Sequence, residues 1–338
     1  MKLIVPMAGM GKRLRPHTLT MPKPLLPIAG KPIVQRLVED IMKVCEERIE
    51  EIAFVIGNFG EQVENQLKEI AVDIGAKGSI YYQKEALGTA HAILCAKDAL
   101  DGKTIVAFAD TLFKADFSLN ESQDGIIWVK QIDNPSAFGV VKLNEGNIIT
   151  DFVEKPETFV SDLAIIGIYY FKNGAYLRKE LEYVIDNDIR DKGEYQLTTA
   201  LENMKDKGTL FSAAPVSDWL DCGNKDATVS TNKRILELGQ ENGLVSRSAE
   251  YQAGTIVEPC YIGKNVTIEN SVIGPFVSLG DNTIIENSKV QNSIILADTL
   301  IKAANLNNSM IGNHVVYSGN GKENRGNSVS IGDYSSLI

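Results

Sequence analysis

The chain has 338 residues, 44% of them apolar, which is long enough for a large core and for more than one domain. Its 44 acidic residues outnumber its 34 basic ones, so the net charge of -10 argues against a nucleic-acid partner and any anion site must be local. Four scattered cysteines, no signal peptide and no membrane-spanning apolar stretch predict a cytoplasmic protein without disulfides, a zinc ribbon or a membrane partner.

The first 113 residues alternate short apolar runs with stretches of helical spacing. The predicted strands are Lys2–Val5, Ile52–Ile56 and Thr104–Phe108, and the predicted helices are Ile33–Cys45 and Glu61–Ile74. This order predicts a doubly wound α/β sheet, in which ligands bind beyond the carboxyl ends of the strands.

A glycine- and cation-rich segment follows the first predicted strand. Gly9 and Gly11 let the backbone turn sharply and bring its N–H groups close to an anion. The nearby fixed cations are Lys12, Arg13, Arg15 and Lys23. A glycine pair beside solvated cations would be weak evidence, but Lys23 stands between two prolines, which predicts a stiff, extended segment around it. The segment is therefore predicted to bind phosphate.

The pattern Gly-x-Gly-x-Arg-Leu-x-Pro, followed by Pro-Lys-Pro-Leu-Leu-Pro-Ile-x-Gly-Lys-Pro, resembles the signature of the sugar-1-phosphate nucleotidylyltransferases. The glucose-1-phosphate thymidylyl- and uridylyltransferases are especially similar. The resemblance implies a Rossmann-like transferase domain whose signature binds a nucleoside triphosphate, with Arg13 and Lys23 as catalytic residues on its phosphates. The nucleotide-binding positions that it implies in this segment are Ala8, Gly9 and Gly11. Met10 and Lys12 depart from the family's usual Gly and Thr.

The stretch Tyr82–Ala92 predicts a strand end followed by a helix start. A Gln side chain offers both a donor and an acceptor, which suits the imide edge of uracil or thymine. The resemblance assigns this role to Gln83 and adds Gly88 and Thr89 as nucleotide-binding residues. By itself, Gln83 could equally be a polar strand end. Both dTTP and UTP stay open as substrates.

Two aspartates follow apolar runs in matching contexts. Asp110 ends the run from Thr104, where a buried carboxylate is costly unless a cation or donors meet it. The resemblance implies that Asp110 binds Mg²⁺, with Asp221 of the Trp-x-Asp-x-Gly element as its partner. Two carboxylates, water and phosphate oxygens are the hard ligands that Mg²⁺ accepts. The expected cofactor is therefore Mg²⁺.

The resemblance assigns the chain segment between these aspartates to the binding of the sugar 1-phosphate, with glucose 1-phosphate as the expected substrate. Gly139 leaves room for the sugar ring, Glu154 binds a hydroxyl, and Lys155 binds the phosphate as a third catalytic residue. Gly167 lies on a further strand of the pocket. Lys192 stands where the family has Arg, which keeps the charge but loses the bidentate fork.

The composition changes after a predicted helix at 227–238. Ten aliphatic residues then recur at spacings of five or six: Ile262, Ile268, Ile273, Leu279, Ile285, Val290, Ile295, Ile301, Leu306 and Ile311. This hexapeptide repeat predicts a left-handed parallel β-helix with one inward aliphatic residue on each face. We therefore predict a nucleotidyltransferase catalytic domain at 1–242 and a β-helix domain at 243–338.

Further apolar residues of the β-helix fall outside the inward register: Val272, Ile284, Ile294, Leu296 and Leu300. Five such side chains predict a homo-oligomer with the β-helix at an interface. Two alternatives to catalytic nucleotidyl transfer stay open. One is a non-catalytic regulatory or sugar-nucleotide-sensing subunit, and the other is a bifunctional enzyme whose β-helix transfers acyl groups, with His314 as the one histidine there.

Overall fold

The computed structural model describes residues 1–239, 250–252, 254–320 and 325–338. They group into two compact units, one formed by Met1–Gly9 and Leu37–Trp219 and the other by Met10–Arg36 and Leu220–Ile338. The predicted domain boundary between residues 242 and 243 lies outside the described residues. No helix in the described ranges is long and apolar enough to cross a membrane.

The strands before residue 240 are β1 Lys2–Pro6, β2 Pro27–Ile28, β3 Lys31–Pro32, β4 Glu51–Ile56, β5 Lys77–Tyr82, β6 Thr104–Ala107, β7 Thr111–Lys114, β8 Gly125–Gln131, β9 Val140–Leu143, β10 Ile149–Val153, β11 Leu163–Phe171, β12 Phe211–Pro215 and β13 Asp218–Asp221. The α-helices are α1 Ile33–Val44, α2 Glu61–Asp73, α3 Thr89–Leu94, α4 Gly174–Asp186, α5 Leu197–Asp206 and α6 Lys225–Leu238. The strands and helices predicted for the first 113 residues are thus confirmed, each with one end that differs by a single residue.

Nine strands of the first unit form a mixed sheet in the path β10-β9-β11-β6-β1-β4-β5, with β8 and β12 joined to it through β11. Strands β1, β4, β5 and β6 are mutually parallel, and almost every side chain of β1, β4 and β6 is buried. Such buried runs are typical of parallel strands covered on both faces. Apolar residues of α3, α4 and α5 share one core with this sheet. The predicted α/β class is confirmed, and Gly9, Gln83 and Asp110 follow strands that end at the same sheet edge.

The second unit contains the predicted β-helix. Its strands are β14 Glu250–Gln252, β15 Thr255–Ile256, β16 Cys260–Ile262, β17 Thr267–Glu269, β18 Val272–Ile273, β19 Val277–Leu279, β20 Ile284–Glu286, β21 Lys289–Gln291, β22 Ser293–Ile295, β23 Leu300–Lys302, β24 Asn305–Asn307, β25 Met310–Ile311, β26 Val316–Ser318, β27 Ser330–Ile331 and β28 Ser336–Leu337. Within the described ranges they form three parallel sheets, one for each face of the coil. The left-handed β-helix is therefore confirmed.

The interior of the β-helix is a single aliphatic core. All ten residues of the predicted inward register are buried in it. Ile268 pairs with Ile285 and Ile285 with Ile301, so identical positions on successive coils stack directly. Asn265 and Asn282 take left-handed backbone conformations at the corners, with φ of 53° and 58°, which asparagine tolerates better than most residues.

The outward apolar residues differ from the expectation in two positions. Ile294 and Leu296 are only 1% and 2% exposed. Helix α6 contacts β19 and β22 within the second unit, so the chain itself covers this face. The prediction that all five residues face outward for a partner is therefore wrong for these two, whereas Val272 and Ile284 are each 38% exposed.

Candidate functional site

The signature segment, residues 10–32 of the second unit, begins with short turns. Lys12–Leu14, His17–Leu19 and Lys23–Leu25 are single 3₁₀ turns, so the prediction of an extended chain at Lys23 is wrong. Pro24 is compatible with the turn because its fixed φ is close to the 3₁₀ value. The Lys23 side chain is nevertheless held firmly, since the residue is only 8% exposed, whereas Arg13 is exposed.

Gly11 lies at the centre of this segment. Its φ of 56° is left-handed, and a Cβ there would lie 3.0 Å from Thr18 Cγ2 and 3.1 Å from Lys23 Cβ. The Thr18 hydroxyl donates to the Gly11 carbonyl oxygen at 2.8 Å. The structure therefore brings Gly11 and Lys23 together, and Thr18, which the sequence analysis did not single out, joins them.

Arg13 and Asp221 meet around a second glycine in the same unit. The Gly223 N–H donates to Asp221 Oδ1 at 2.8 Å. A Cβ on Gly223 would lie 2.9 Å from that oxygen and 3.3 Å from Arg13 Nη2. A candidate phosphate-binding cation and a candidate metal ligand thus occupy one small region, as a magnesium–phosphate complex would require.

Gln83 lies at the end of β5 in the first unit. Its Nε2 donates to the Gly88 carbonyl oxygen at 3.3 Å and lies 3.1 Å from His91 Nδ1. An amide nitrogen can only donate, so His91 Nδ1 is the acceptor in this contact. The sequence analysis missed His91, although its place in the first turn of a helix that begins at Thr89 could have indicated it.

Gly88 fits its position because it lacks a side chain. Its φ is 118°, and a Cβ would lie 2.4 Å from the Tyr195 carbonyl oxygen. Tyr195 N–H donates to the Leu87 carbonyl oxygen at 2.9 Å, and Leu197 N–H donates to Thr89 Oγ1 at 2.8 Å. The segment Lys192–Thr198 therefore packs directly against the candidate nucleotide-binding residues.

The same segment reaches the candidate sugar-phosphate residues. Lys192 Nζ donates to the carbonyl oxygens of Glu154 at 3.0 Å and of Lys155 at 2.8 Å. Lys155 Nζ lies 3.5 Å from Glu154 Oε1. A Cβ on Gly139 would lie 3.1 Å from Glu154 Oε2 and 3.8 Å from Thr198 Cγ2. Four of the five predicted sugar-phosphate residues are thus brought together.

Gly167 lies on strand β11, and Asp110 follows the neighbouring strand β6. Gly167 has a φ of 86°, and its carbonyl oxygen accepts from the Phe108 N–H at 3.0 Å. Burial raises the pKa of Tyr169, and the carboxylates of Glu154 and Asp110 raise it further. Tyr169 is therefore a neutral phenol close to both acids.

Ala8 and Gly9 follow β1 at the same sheet edge. A Cβ on Gly57 would lie 3.5 Å from the Ala8 carbonyl oxygen, and the space around Gly9 is open. The predicted site residues therefore form two groups. Arg13, Lys23, Gly11 and Asp221 belong to the second unit, and the remaining ones belong to the first.

The chain thus combines a parallel-centred α/β sheet with polar residues at its carboxyl edge, a glycine- and cation-rich segment and a β-helix, the features expected of a nucleotidyltransferase with an added β-helix domain. The nucleotidyl transferase family profile matches residues 2–238, and the chain belongs to this family. The resemblance to the sugar-1-phosphate nucleotidylyltransferases is thereby confirmed.

Relatives and a solved structure resemble most of the chain. The glucose-1-phosphate thymidylyltransferase of Streptomyces griseus is 27% identical, over 99% of this chain and 98% of its own length. The bifunctional protein GlmU of Methanocaldococcus jannaschii is 30% identical, over 89% of this chain and 74% of its own length. A crystal structure of UDP-glucose pyrophosphorylase complexed with UDP-glucose has a TM-score of 0.58 and 26% identity, over 70% of this chain and 98% of that one.

Proposed function

We propose that this protein transfers a nucleotidyl group from dTTP or UTP to glucose 1-phosphate, giving a nucleotide sugar and pyrophosphate. The observation that carries the proposal is the segment Lys192–Thr198. It contacts Leu87 and Thr89 on one side and Glu154 and Lys155 on the other. Because this segment contacts both the candidate nucleotide-binding residues and the candidate sugar-phosphate residues, it would hold a base site and a phosphate site in a set geometry. Such an arrangement supports the joining of two polyanions.

The pyrimidine preference is proposed from Gln83. Its Nε2 is anchored on Gly88 and His91, which orients the amide. In the proposed complex the Oε1 atom accepts from the N3–H of uracil or thymine. A purine presents a different edge and a larger ring, so it would leave the amide unmatched in the site.

The sugar phosphate supplies the nucleophile in the proposed reaction. An ionised phosphate oxygen attacks the α-phosphorus in line, the new P–O bond forms, and the bond to pyrophosphate breaks. Since the attacking oxygen is already ionised at pH 7, no general base is needed. Lys155 would orient the sugar phosphate, and Arg13 and Lys23 would offset the charge of the triphosphate.

Asp110 and Asp221 are the residues that we propose to hold Mg²⁺. Among the described residues no group of three or more His, Cys, Asp and Glu side chains could hold a metal. Two carboxylates completed by phosphate oxygens and water fit Mg²⁺, which keeps several such ligands in phosphoryl-transfer sites. When bound, the ion would supply charge stabilisation to the transferring phosphoryl group.

A substrate panel tests the proposal by measuring pyrophosphate release from four triphosphates with glucose 1-phosphate and Mg²⁺. We expect dTTP or UTP to be used at least ~100-fold more efficiently than ATP or GTP. Gln83→Ala should reduce this preference, whereas Lys84→Ala, at the exposed neighbouring position, should keep it. Equal efficiency with ATP would refute the assignment of Gln83.

The two alternatives predict other results. A regulatory subunit would bind the triphosphate without releasing pyrophosphate with any sugar phosphate. A bifunctional enzyme would also transfer an acyl group, measured as free thiol released from an acyl thioester. The relative that is named bifunctional supports testing this second activity. His314 stacks on Tyr334 at 4.8 Å between ring centroids, with Nδ1 3.9 Å from Asp298 Oδ2.

We also propose a homo-oligomer in which the β-helix forms an interface. Since Ile294 and Leu296 are buried, the residues left for this interface are Val272, Ile284 and the half-buried Leu300. Ile284 pairs with Leu300 on one face of the coil, so the two side chains form a short apolar row. Light scattering on the full chain should give a multiple of the 37.0 kDa protomer. Ile284→Lys should lower that multiple, and a monomeric native chain would refute the proposal.

A further inference from the structure

One face of the β-helix carries a column of outward side chains that contacts the rest of the second unit. The column runs along β16, β19, β22, β25 and β27 and consists of Tyr261, Ser278, Ile294, Met310 and Ser330. At its first coil, a Cβ on Gly30 would lie 2.1 Å from the Tyr261 ring, so the ring packs directly against Gly30 of the signature segment. At the second coil, Ser278 Oγ donates to Asn232 Oδ1 at 2.7 Å, and that oxygen also accepts from the Ala29 N–H at 3.0 Å.

The terminal coil of the β-helix, residues 325–338, contacts the part of the signature segment that lies between its cations in the chain. His17 Nε2 lies 3.1 Å from Ser330 Oγ, and the Thr20 hydroxyl donates to Asp333 Oδ2 at 2.8 Å. A Cβ on Gly332 would lie 2.9 Å from Pro16 Cβ. The His17 side chain is buried, with the residue 1% exposed, whereas Ser330 is exposed, so water is kept from their contact on the His17 side only.

These contacts continue to the candidate phosphate-binding residues. Thr18 lies between His17 and Thr20 in the chain, and its hydroxyl donates to the Gly11 carbonyl oxygen. Gly11 in turn packs against the side-chain stem of Lys23. The route from the terminal coil to Gly11 and Lys23 therefore consists of direct contacts within one compact unit.

We propose that the terminal coil of the β-helix is a positioning element for the triphosphate-binding segment. His17, Thr20, Ser330 and Asp333 are positioning residues, because they hold the turn that carries Thr18 and thereby fix Gly11 and Lys23. The claim that the segment binds a triphosphate rests on the proposed function. The claim that the coil holds the segment rests on the contacts alone.

The first test separates substrate binding from folding by steady-state kinetics on full-length variants. Removing a partly exposed hydrogen bond costs about 1 kcal/mol, so His17→Leu should raise KM for the triphosphate by about 5-fold. Thr20→Val, at an exposed contact, should raise it by about 3-fold. KM for the sugar 1-phosphate and the melting temperature should stay close to those of the native chain.

Two further variants control for volume and for surface change. In His17→Gln the amide can reach Ser330 from the same side as Nε2, so it should recover most of the lost triphosphate affinity. Thr255→Val makes the same chemical change as Thr20→Val on another, exposed face of the β-helix. It should leave both KM values unchanged. Equal rises in both KM values for His17→Leu would overturn the positioning role.

The second test needs no substrate. Lys12 and Arg13 are exposed, so trypsin can cut after them once the turn loosens, whereas Pro16 protects the bond after Arg15. We expect His17→Leu and Ser330→Ala to speed the cut after Lys12 or Arg13 by several-fold, as followed by mass spectrometry. Unchanged cleavage would overturn the proposal. Faster cleavage in a protein that releases no pyrophosphate would uphold the coil's role and refute the proposed function.

Discussion

The two groups of candidate site residues are held by contacts of very different range. In the first unit, Gln83 is anchored on His91, eight residues away, Lys192 on Glu154, 38 residues away, and Thr89 on Leu197, 108 residues away. In the second unit, the signature segment is held by Ser330 and Asp333, each 313 residues from its partner. A motif that is contiguous in sequence can therefore depend on the far end of the chain for its conformation.

This difference has a consequence for stability as well as for binding. A contact between distant residues closes a long loop, and its entropic cost is met only once the intervening chain is folded. Loss of structure in that chain would therefore weaken the contacts of the signature segment, whereas the contact of Gln83 with His91 closes only a short loop.

The largest expected effect tests whether the two groups act in one reaction. Asp110→Asn and Asp221→Asn should each lower turnover by ~100-fold or more, since the proposed metal supplies several kcal/mol of charge stabilisation. Because both carboxylates would serve one ion, the double variant should be little worse than either single variant.

Pyrophosphate release at ordinary magnesium concentration measures this effect. Asp116→Asn, at an exposed carboxylate of the first unit, is the matched control and should behave like the native chain. Near-normal turnover in either single variant would remove that aspartate from the metal site. Fully multiplicative losses in the double variant would show that the two aspartates act separately.

An intermediate effect compares the glycines of the two groups. In Gly88→Ala the new Cβ would meet backbone atoms of Tyr195 at 2.4 and 2.7 Å, in a φ region that is strained for alanine. We expect the free energy of unfolding to fall by roughly 2–4 kcal/mol. Gly11→Ala meets side-chain atoms at 3.0 and 3.1 Å, so it should cost about 1–2 kcal/mol.

Gly102→Ala separates the backbone strain from the contacts. Gly102 has a φ of 57°, close to that of Gly11, and nothing lies within 4 Å of its Cβ position. Urea unfolding of the three variants gives the comparison. If Gly88→Ala is no less stable than Gly102→Ala, the Tyr195 backbone yields easily and does not define the nucleotide-binding turn.

The sequence predicted the elements whose signals are periodic. Helix α2 and strand β4 follow from apolar spacing, and the β-helix from ten inward residues that all proved to be buried. The signature segment was recognised because its glycines and cations are contiguous. Its turn at Lys23 was not predicted correctly, since the prolines restrict φ but permit a 3₁₀ turn as well as an extended chain.

The sequence could not indicate the residues that support the site from a distance. Nothing in the local sequence of His17 or Ser330 marks them as partners, because the contact depends on how the β-helix stacks. The same limit applies to Ile294. Its place in the repeat predicts an outward side chain, and only the position of α6 in the structure shows that the chain itself covers it.

The smallest expected effect uses the buried imidazole of the signature segment. Burial lowers the pKa of His17 from 6.5 to about 4; Asp333 opposes this shift and Lys225 adds to it. Among the described residues no partner meets His17 Nδ1, so a second ring proton would have no acceptor. The folded protein therefore keeps His17 neutral, whereas the unfolded chain binds a proton below pH 6.5.

The contribution of the neutral ring to the free energy of unfolding is fully present above pH 6.5 and is lost as the pH falls towards about 4. Between pH 7 and pH 5.5, the free energy of unfolding should fall by about 1 kcal/mol because of this residue. Urea unfolding at the two pH values, for the native chain and for His17→Gln, isolates that share because glutamine does not titrate. An equal loss in both proteins would mean that the imidazole binds its proton equally well in the folded and unfolded states, so that burial does not keep it neutral.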